Sequence, residues 1–168
     1  MSVCRVRLIL WLTFTGITIA GGILTDVILR TSPFPVWLRM VGLAGMLLAH
    51  FPLKRTGRLL GRLADPKQWG CTNKLVTKDL YSCLRHPHHL FIGIFMMALG
   101  LVIGHIVSFL LITVLEWLWI LSFLLLVEEK ELLGKFGQEY ARYQQNVPML
   151  VANPACLGKV LSSPIVKP

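Results

Sequence analysis

Long apolar stretches separated by short charged ones dominate the hydropathy pattern of this chain. Residues 6–27, 36–53 and 89–127 carry few charged side chains. A helix rises about 1.5 Å per residue, so roughly 20 apolar residues cross a hydrocarbon core of about 30 Å. The first two stretches each predict one membrane-spanning helix, and the third, which is about twice as long, predicts two.

The third apolar stretch has a natural turning point near its middle. Gly104 and His105 lie there, so we predict a tight helical hairpin with spans at 89–104 and 106–127. Residues 31–35, TSPFP, predict the turn between the first two spans, because two prolines cannot continue a helix. The pattern therefore predicts an all-α membrane protein, a single membrane domain over the whole chain, with about four transmembrane helices.

A different pattern begins at Glu128, where the chain becomes strongly charged. Apolar residues recur there at spacings of three and four, which is typical of one face of a helix. These residues are Leu132, Phe136, Tyr140 and Tyr143. We predict a C-terminal amphipathic cytoplasmic helix over 128–146, followed by a loosely ordered tail from Asn153.

Basic residues outnumber acidic ones, 17 to 8, giving a net charge of +9. On a soluble domain this excess would suggest nucleic acid, but here the charges lie between apolar stretches, so we expect no nucleic-acid partner. Residues 54–88 carry eight Lys or Arg against Asp65 and Asp79. The positive-inside rule predicts that this segment is a cytoplasmic loop. With four spans, both termini then face the cytoplasm, and the first span is a retained signal anchor.

The four cysteines show no CxxC spacing that would indicate a zinc site or a redox motif. Cys71 and Cys83 fall in the segment predicted to be cytoplasmic, where thiols are normally kept reduced. We therefore expect reduced thiols and no disulfide framework.

Charged residues flank the predicted hairpin at both of its open ends. Arg85 and His86 precede the third span, and Glu128 and Glu129 follow the fourth. An antiparallel hairpin places the two groups at one membrane depth, a few ångströms apart. Arg can bind a carboxylate through a bidentate fork and Glu can accept an ammonium, so together they suit a zwitterion. The alternative is an ordinary interfacial ion pair, worth about 0–1 kcal/mol if exposed.

The histidines before the third span raise the question of a metal site. His86, His88 and His89 are too close together to match a known ligand spacing, and Pro87 constrains the turn. We therefore expect no metal. His88 is instead interpreted as an interfacial residue.

Glu116 lies midway along the fourth predicted span, where a carboxylate is costly unless it is protonated or paired. It is separated from Glu128 by about 18 Å of helix and cannot share the same site. We expect it to bond a neighbouring span or to line a cavity on the lipid side.

Several short motifs follow one another in a fixed order along the chain. They are Leu75-Val76-Thr77, Tyr81, Arg85-His86-Pro87, Glu128-Glu129, and Phe136-Gly137-Gln138-Glu139-Tyr140 with Tyr143. In this order they resemble the integral-membrane methyltransferases of the isoprenylcysteine carboxyl methyltransferase and phospholipid methyltransferase group. The resemblance implies methyl transfer from S-adenosylmethionine to a lipidic or prenylated acceptor at the cytoplasmic membrane face. It also implies a set of cofactor-binding residues, without identifying a catalytic one. This set is Arg85, His86, Pro87, His89, Glu128 and Glu129.

The chain departs from the family pattern at three places. His89 stands where Tyr is usual, Phe91 lies near an expected Gly, and Asp79-Leu80 replace a common Gly-Pro. Two alternatives therefore stay open. One is a non-catalytic relative that uses its basic loop for lipid or protein contacts, and the other is an NADPH-dependent enzyme similar to the sterol reductases. Within the methyltransferase interpretation the acceptor also stays open, among a prenylated cysteine carboxylate, a phosphoethanolamine headgroup and a small thiol.

Overall fold

The computed structural model of the chain describes residues 3–63, 74–151 and 153–163, and all regular structure within these ranges is helical. Seven α-helices are numbered in chain order. They are α1 (Val3–Leu29), α2 (Val36–Leu63), α3 (Pro87–Ile103), α4 (Ile106–Phe123), α5 (Glu129–Phe136), α6 (Gln138–Asn146) and α7 (Pro154–Ser162). A 3₁₀ turn covers Asp79–Ser82, and a π-helical turn, Leu124–Glu128, joins α4 to α5 without a break. Asp65, Lys67 and Cys71 of the predicted loop lie outside the described ranges.

Three helical stretches of the described chain are long and apolar enough to cross a membrane. They are Arg5–Leu29, Val36–Arg62 and Ile106–Phe136. The helix at the third predicted span, α3, has 17 residues and is shorter than these three. A fourth crossing by α3 therefore stays a prediction.

The long helices pack in the order α2, α3, α4 and α1. Glycines allow the closest approaches between neighbours. A Cβ at Gly42 of α2 would lie 2.8 Å from the Ala98 carbonyl oxygen of α3. A Cβ at Gly93 of α3 would lie 2.7 Å from the Trp117 ring of α4. Both distances are too short for any residue with a side chain, so glycine at these two positions sets the helix spacing.

Asp26, near the end of α1, caps the beginning of α4. Its carboxylate accepts hydrogen bonds from the Val107 amide at 3.1 Å, from the Ser108 amide at 2.7 Å, and from the Ser108 and Thr31 hydroxyls. The first amides of a helix lack partners within the helix, and a carboxylate at this position satisfies them and the helix dipole together. The Thr31 hydroxyl oxygen also lies 3.0 Å from His105 Nδ1. Asp26 is only 4% exposed, so it joins two helices at this end of the bundle.

The turn between α3 and α4 lies at the two residues named in the sequence analysis. Gly104 has a φ of +81°, a left-handed conformation that glycine adopts without strain. Arg39 of α2 donates to the carbonyl oxygens of Val102 and Ile103, at 3.2 and 3.1 Å, and so caps the end of α3. The Phe34 amide donates to the Gly104 carbonyl at 2.6 Å, which joins this turn to the loop between α1 and α2.

Glu116 is buried between α4 and α1. It accepts hydrogen bonds from Trp11 Nε1 at 3.0 Å and from the Thr15 hydroxyl at 2.6 Å. Of the two expectations from the sequence, bonding to a neighbouring span is therefore the one observed. Its partners both belong to α1, so the carboxylate links the first and last long helices of the bundle.

Helix boundaries on the basic side differ from the sequence prediction in three places. The predicted loop at 54–88 begins as helix, because α2 continues through Pro52 to Leu63. The predicted helix at 128–146 is two helices, since Gly137 adopts a φ of +54° between α5 and α6. The predicted loose tail contains α7, whose first amides are capped by Asn153 through a bond from the Ala155 amide at 2.9 Å.

The expectation of reduced thiols is wrong for two of the four cysteines. Cys83, just after the 3₁₀ turn, forms a disulfide with Cys156 of α7. The two residues are 73 positions apart, so their pairing depends on the fold and not on a local spacing. The disulfide fixes α7 beside the segment that leads into α3.

Candidate functional site

A cluster of charged and polar side chains surrounds Glu129 where α4 passes into α5. Arg85 approaches with Nε at 3.2 Å and Nη2 at 3.1 Å, which is a bidentate fork. His86 Nε2 lies at 2.5 Å, and the Tyr140 hydroxyl and Gln144 amide donate at 2.7 and 2.6 Å. Four side chains therefore point donors at one carboxylate, an arrangement that suits its ionised form.

Arg85 uses its other guanidinium nitrogen to hold the end of α6. Nη1 donates to the carbonyl oxygens of Gln144 and Val147 at 2.9 and 3.0 Å, and these carbonyls lack partners within the helix. The Arg85 and Glu129 side chains are each 12% exposed. The pair is thus largely buried and helps to position α6, unlike the exposed ion pair that the sequence left as an alternative.

Glu128 has a very different environment, although it is the adjacent residue. Its Oε2 is buried and has no hydrogen-bond partner among the described residues. His89 Nε2 lies 3.5 Å from this oxygen, and His86 Nδ1 lies 3.7 Å from Oε1, both too far for a good hydrogen bond. Glu128 ends the π-helical turn, a feature that occurs often at functional sites. The site therefore contains one saturated carboxylate and one with spare accepting capacity.

The remaining predicted site residues lie at the beginning of α3. Pro87 takes the first helical position, where its missing N–H costs nothing. His89 is 24% exposed, and its ring centroid lies 5.9 Å from that of Phe123 on α4. His88 points to α2 instead, where its Nδ1 lies 2.9 Å from the Thr56 hydroxyl. His88 therefore forms a contact between α3 and α2, a role that its interpretation as an interfacial residue did not include.

The two carboxylates determine how His86 titrates. Burial lowers the pKa of this imidazole, but the nearby Glu128 carboxylate and the hydrogen-bonded Glu129 carboxylate outweigh burial and raise its pKa above the ordinary value. Burial, and next the hydrogen bond to Glu129, raise the pKa of Tyr140 far above that of a free phenol. The site thus favours a charged His86 beside a neutral Tyr140.

Two residues that contact Glu129 were not among the predicted site residues. Tyr140 and Gln144 are four positions apart on α6, so they lie on one face of that helix. The sequence analysis identified Tyr140 only as an apolar position and as a motif match. Tyr143, on the same helix, donates to the Tyr81 carbonyl at 2.5 Å and so joins two of the motifs. The spacing of Tyr140 and Gln144, one helical turn apart, was the sequence signal that could have identified both as site residues.

The site also brings together ligand types that a metal ion accepts. One donor atom each from His86, His89 and Glu128 lie within 4.8 Å of one another. Glu128 is distant from the histidines in sequence and reaches them from the other side of the hairpin. The expectation that no metal binds here stays a prediction.

Asp79, one of the departures from the family pattern, has a specific structural role. It adopts a φ of +61°, the left-handed region that glycine favours and that Asp tolerates better than most residues. Its buried carboxylate pairs with Arg55 of α2 at 2.8 and 2.9 Å. The residue in the place of a common glycine therefore retains a glycine-like backbone and adds a buried ion pair.

The sequence is similar to those of known methyltransferases. Residues 34–139 match the family model described as phospholipid methyltransferase. A relative from Bradyrhizobium diazoefficiens, named methanethiol S-methyltransferase 1, is 32% identical over 130 residues, which is 74% of this chain and 41% of the relative. A protein-S-isoprenylcysteine O-methyltransferase from Schizosaccharomyces pombe is 37% identical over 76 residues, 44% of this chain and 31% of that protein. The chain thus spans less than half of the length of these curated relatives.

Proposed function

The chain belongs to the phospholipid methyltransferase family, and from this premise we propose that it transfers a methyl group from S-adenosylmethionine to a lipidic or prenylated acceptor. We further propose that the reaction occurs at the cytoplasmic face of a membrane, with both termini on that side. The basic residues of α2 and of the following segment support this orientation through the positive-inside rule, whereas the Cys83–Cys156 disulfide at the same end of the bundle is unusual for a reducing cytoplasm.

The environment of Glu128 is the single observation on which this proposal depends. Its buried Oε2 has no hydrogen-bond partner among the described residues, whereas Glu129 beside it is saturated. A buried unpaired carboxylate oxygen is costly unless a donor reaches it. The methionine end of the cofactor carries one ammonium and one carboxylate. We therefore assign the ammonium to Glu128, and we expect the carboxylate to lie toward Arg85 and His86.

When bound, S-adenosylmethionine supplies a methyl group already activated by the positive sulfur. The protein then has mainly to orient the cofactor and to exclude water. Glu129, which accepts a hydrogen bond from Tyr140, holds His86, whose raised pKa keeps a positive charge near the cofactor carboxylate. His89 and Phe123 lie at the edge of the cluster, where a hydrophobic acceptor would arrive from the lipid. We propose His89 and Pro87 as part of the cofactor site.

The choice of acceptor rests on the relatives and on the surface of the helices. The names of the two relatives specify a thiol and a prenylated cysteine, respectively, as the methylated group. Leu118, Leu125 and Leu126 of the helix that leads to the site are exposed, as expected for a helix that faces lipid. This apolar surface supports the proposal that an apolar acceptor approaches from the bilayer.

The proposal is tested by cofactor binding to the whole chain purified in detergent. We expect S-adenosylmethionine to bind and Glu128→Gln to weaken binding at least about tenfold, because a charge-assisted bond to the ammonium is lost. Glu139→Gln is the matched control, since Glu139 is an exposed carboxylate on α6, and it should bind as the wild type does. Removing metal with a chelator should leave the affinity unchanged.

Different outcomes identify the alternatives. No binding at millimolar cofactor would reject methyl transfer and favour the non-catalytic relative. Stabilisation by NADPH but not by S-adenosylmethionine would favour the reductase. If the cofactor binds and Glu128→Gln has no effect, the assignment of the ammonium to Glu128 is wrong. Labelled cofactor incubated with a membrane-lipid extract then identifies the acceptor.

A further inference from the structure

A second site lies on α2, and its lining residues include none of the Glu129 cluster. It is a pocket of about 350 Å³, near the lower end of the volumes that ligand pockets usually have. Two helices form its walls. The lining residues are His50, Phe51, Lys54, Arg55 and Arg58 of α2, and Leu161 of α7.

The lining residues of this α2–α7 pocket make it strongly positive. Lys54, Arg55 and Arg58 are cationic, and no carboxylate is among the lining residues. Arg55 is already paired with Asp79, so its charge is largely compensated. Lys54 and Arg58 are one turn apart on the same face of α2, and both are exposed. These two side chains are available to an anion that enters the pocket.

The pocket lies where the apolar part of α2 passes into its basic part. Phe51 is 68% exposed, lines the pocket, and lies at the end of the hydrophobic part of α2. The basic residues follow within the next two turns. Leu161 adds a second apolar side chain from α7. Along the axis of α2, the pocket therefore presents an apolar surface first and cationic side chains next to it.

The α7 wall is fixed in place by two connections. The disulfide between Cys83 and Cys156 holds the first turn of the helix. At the other end of α7, Arg55 Nη1 donates to the Ser163 carbonyl oxygen at 3.0 Å. The pocket is therefore bounded by two elements that cannot easily separate, which favours a defined binding site over a diffuse basic surface.

We propose that the α2–α7 pocket binds the phosphate headgroup of an anionic phospholipid, with Lys54 and Arg58 on the phosphate and Phe51 beside the acyl chains. Basic pockets next to membrane helices are a recognised way of holding such headgroups. This site is distinct from the proposed methyl-transfer site, and its occupation does not depend on methyl transfer. It would anchor α2 and α7 at the membrane surface.

The test is a titration of short-chain phosphatidylglycerol into the whole purified chain in a non-ionic detergent. We expect saturable binding that the double substitution Lys54→Ala, Arg58→Ala weakens roughly thirtyfold, because two cations near the headgroup are removed. The matched control is Arg62→Ala, Lys74→Ala. It removes the same charge from exposed residues that do not line the pocket, and it should bind as the wild type does. The thermal-unfolding midpoint of each variant checks that it is folded.

Three further ligands identify the source of the phosphate. Short-chain phosphatidylcholine should bind much more weakly than phosphatidylglycerol, since its headgroup has no net charge. Glycerophosphoglycerol and inorganic phosphate lack acyl chains and should also bind more weakly. Equal affinity for inorganic phosphate and phosphatidylglycerol would overturn the lipid assignment. Equal loss of lipid binding in the two double variants would overturn the pocket itself.

Discussion

The two ends of the helix bundle use buried charge in opposite ways. At the turn end, the Asp26 carboxylate accepts four hydrogen bonds, and Arg39 caps the end of α3. At the basic end, where α4 passes into α5, Glu129 is equally well satisfied, but its neighbour Glu128 keeps a buried oxygen that has no hydrogen-bond partner in the described part of the chain. Unpaired buried groups are expensive, so proteins concentrate them where a ligand supplies the missing partner. The first end stabilises the fold, and the second combines stabilisation with binding.

The largest expected effect comes from breaking the turn end. Asp26→Ala removes the acceptor of two α4 amides and two hydroxyls, and leaves those donors buried. We expect it to lower the free energy of unfolding by about 3–5 kcal/mol, measured by denaturation in mixed detergent micelles. Cofactor affinity of the folded fraction should not change, because the residue lies at the end of the bundle opposite to the site.

A neighbouring substitution provides the control for Asp26. The Thr25 hydroxyl donates at 2.8 Å to the Gly21 carbonyl of its own helix and joins no second element. Thr25→Val should therefore change stability by less than about 0.5 kcal/mol. If Asp26→Ala were as mild as Thr25→Val, the capping of α4 by α1 would not be what stabilises this end.

The disulfide has the next largest expected effect, and it acts at the basic end. Cys83→Ser with Cys156→Ser removes a crosslink across 73 residues, and we expect a loss of about 2–4 kcal/mol under oxidising conditions. A reducing agent should lower the unfolding midpoint of the wild type and leave that of the double variant unchanged. A wild-type midpoint that does not respond to reductant would mean that the crosslink contributes nothing to this end of the bundle.

The sequence predicted correctly those features that depend on a single helix or on a single helical hairpin. Apolar length located the long helices, and the hairpin argument brought Arg85 and His86 to Glu128 and Glu129. The hairpin could not show that Arg85 is already engaged by Glu129, because that depends on which rotamers the packing allows.

Features that depend on local backbone detail or on distant contacts were missed. A basic segment was interpreted as loop, although Lys and Arg are good helix formers, and α2 continues to Leu63. The π-helical turn that sets the direction of Glu128 has no sequence signature. The pairing of Cys83 with Cys156 required the position of α7, which was predicted as a loose tail.

The two adjacent carboxylates allow the comparison to be made within one site. Glu129→Gln places an amide group among four donors, so we expect a loss of about 2 kcal/mol in the free energy of unfolding without ligand. Glu128→Gln should lower stability by less than Glu129→Gln does, because Glu128 contacts His86 and His89 only at 3.7 and 3.5 Å and its Oε2 has no hydrogen-bond partner among the described residues. The same denaturation experiment measures both variants. Equal losses would show that Glu128 is as structural as Glu129.

The smallest effect expected is a dependence of stability on pH that arises from His86. Glu128 and Glu129 outweigh burial and raise the pKa of His86 above that of the unfolded chain. The charged imidazole therefore stabilises the fold fully below the unfolded pKa of about 6.5, and this contribution is lost as pH rises through the folded pKa. We expect the free energy of unfolding to fall as pH is raised above about 6.5 and this part of the fall to be absent in His86→Gln, which retains a donor toward Glu129. An identical pH profile in both proteins would mean that the pKa of His86 is the same in the folded and unfolded states, so that the charge on its imidazole does not stabilise the fold.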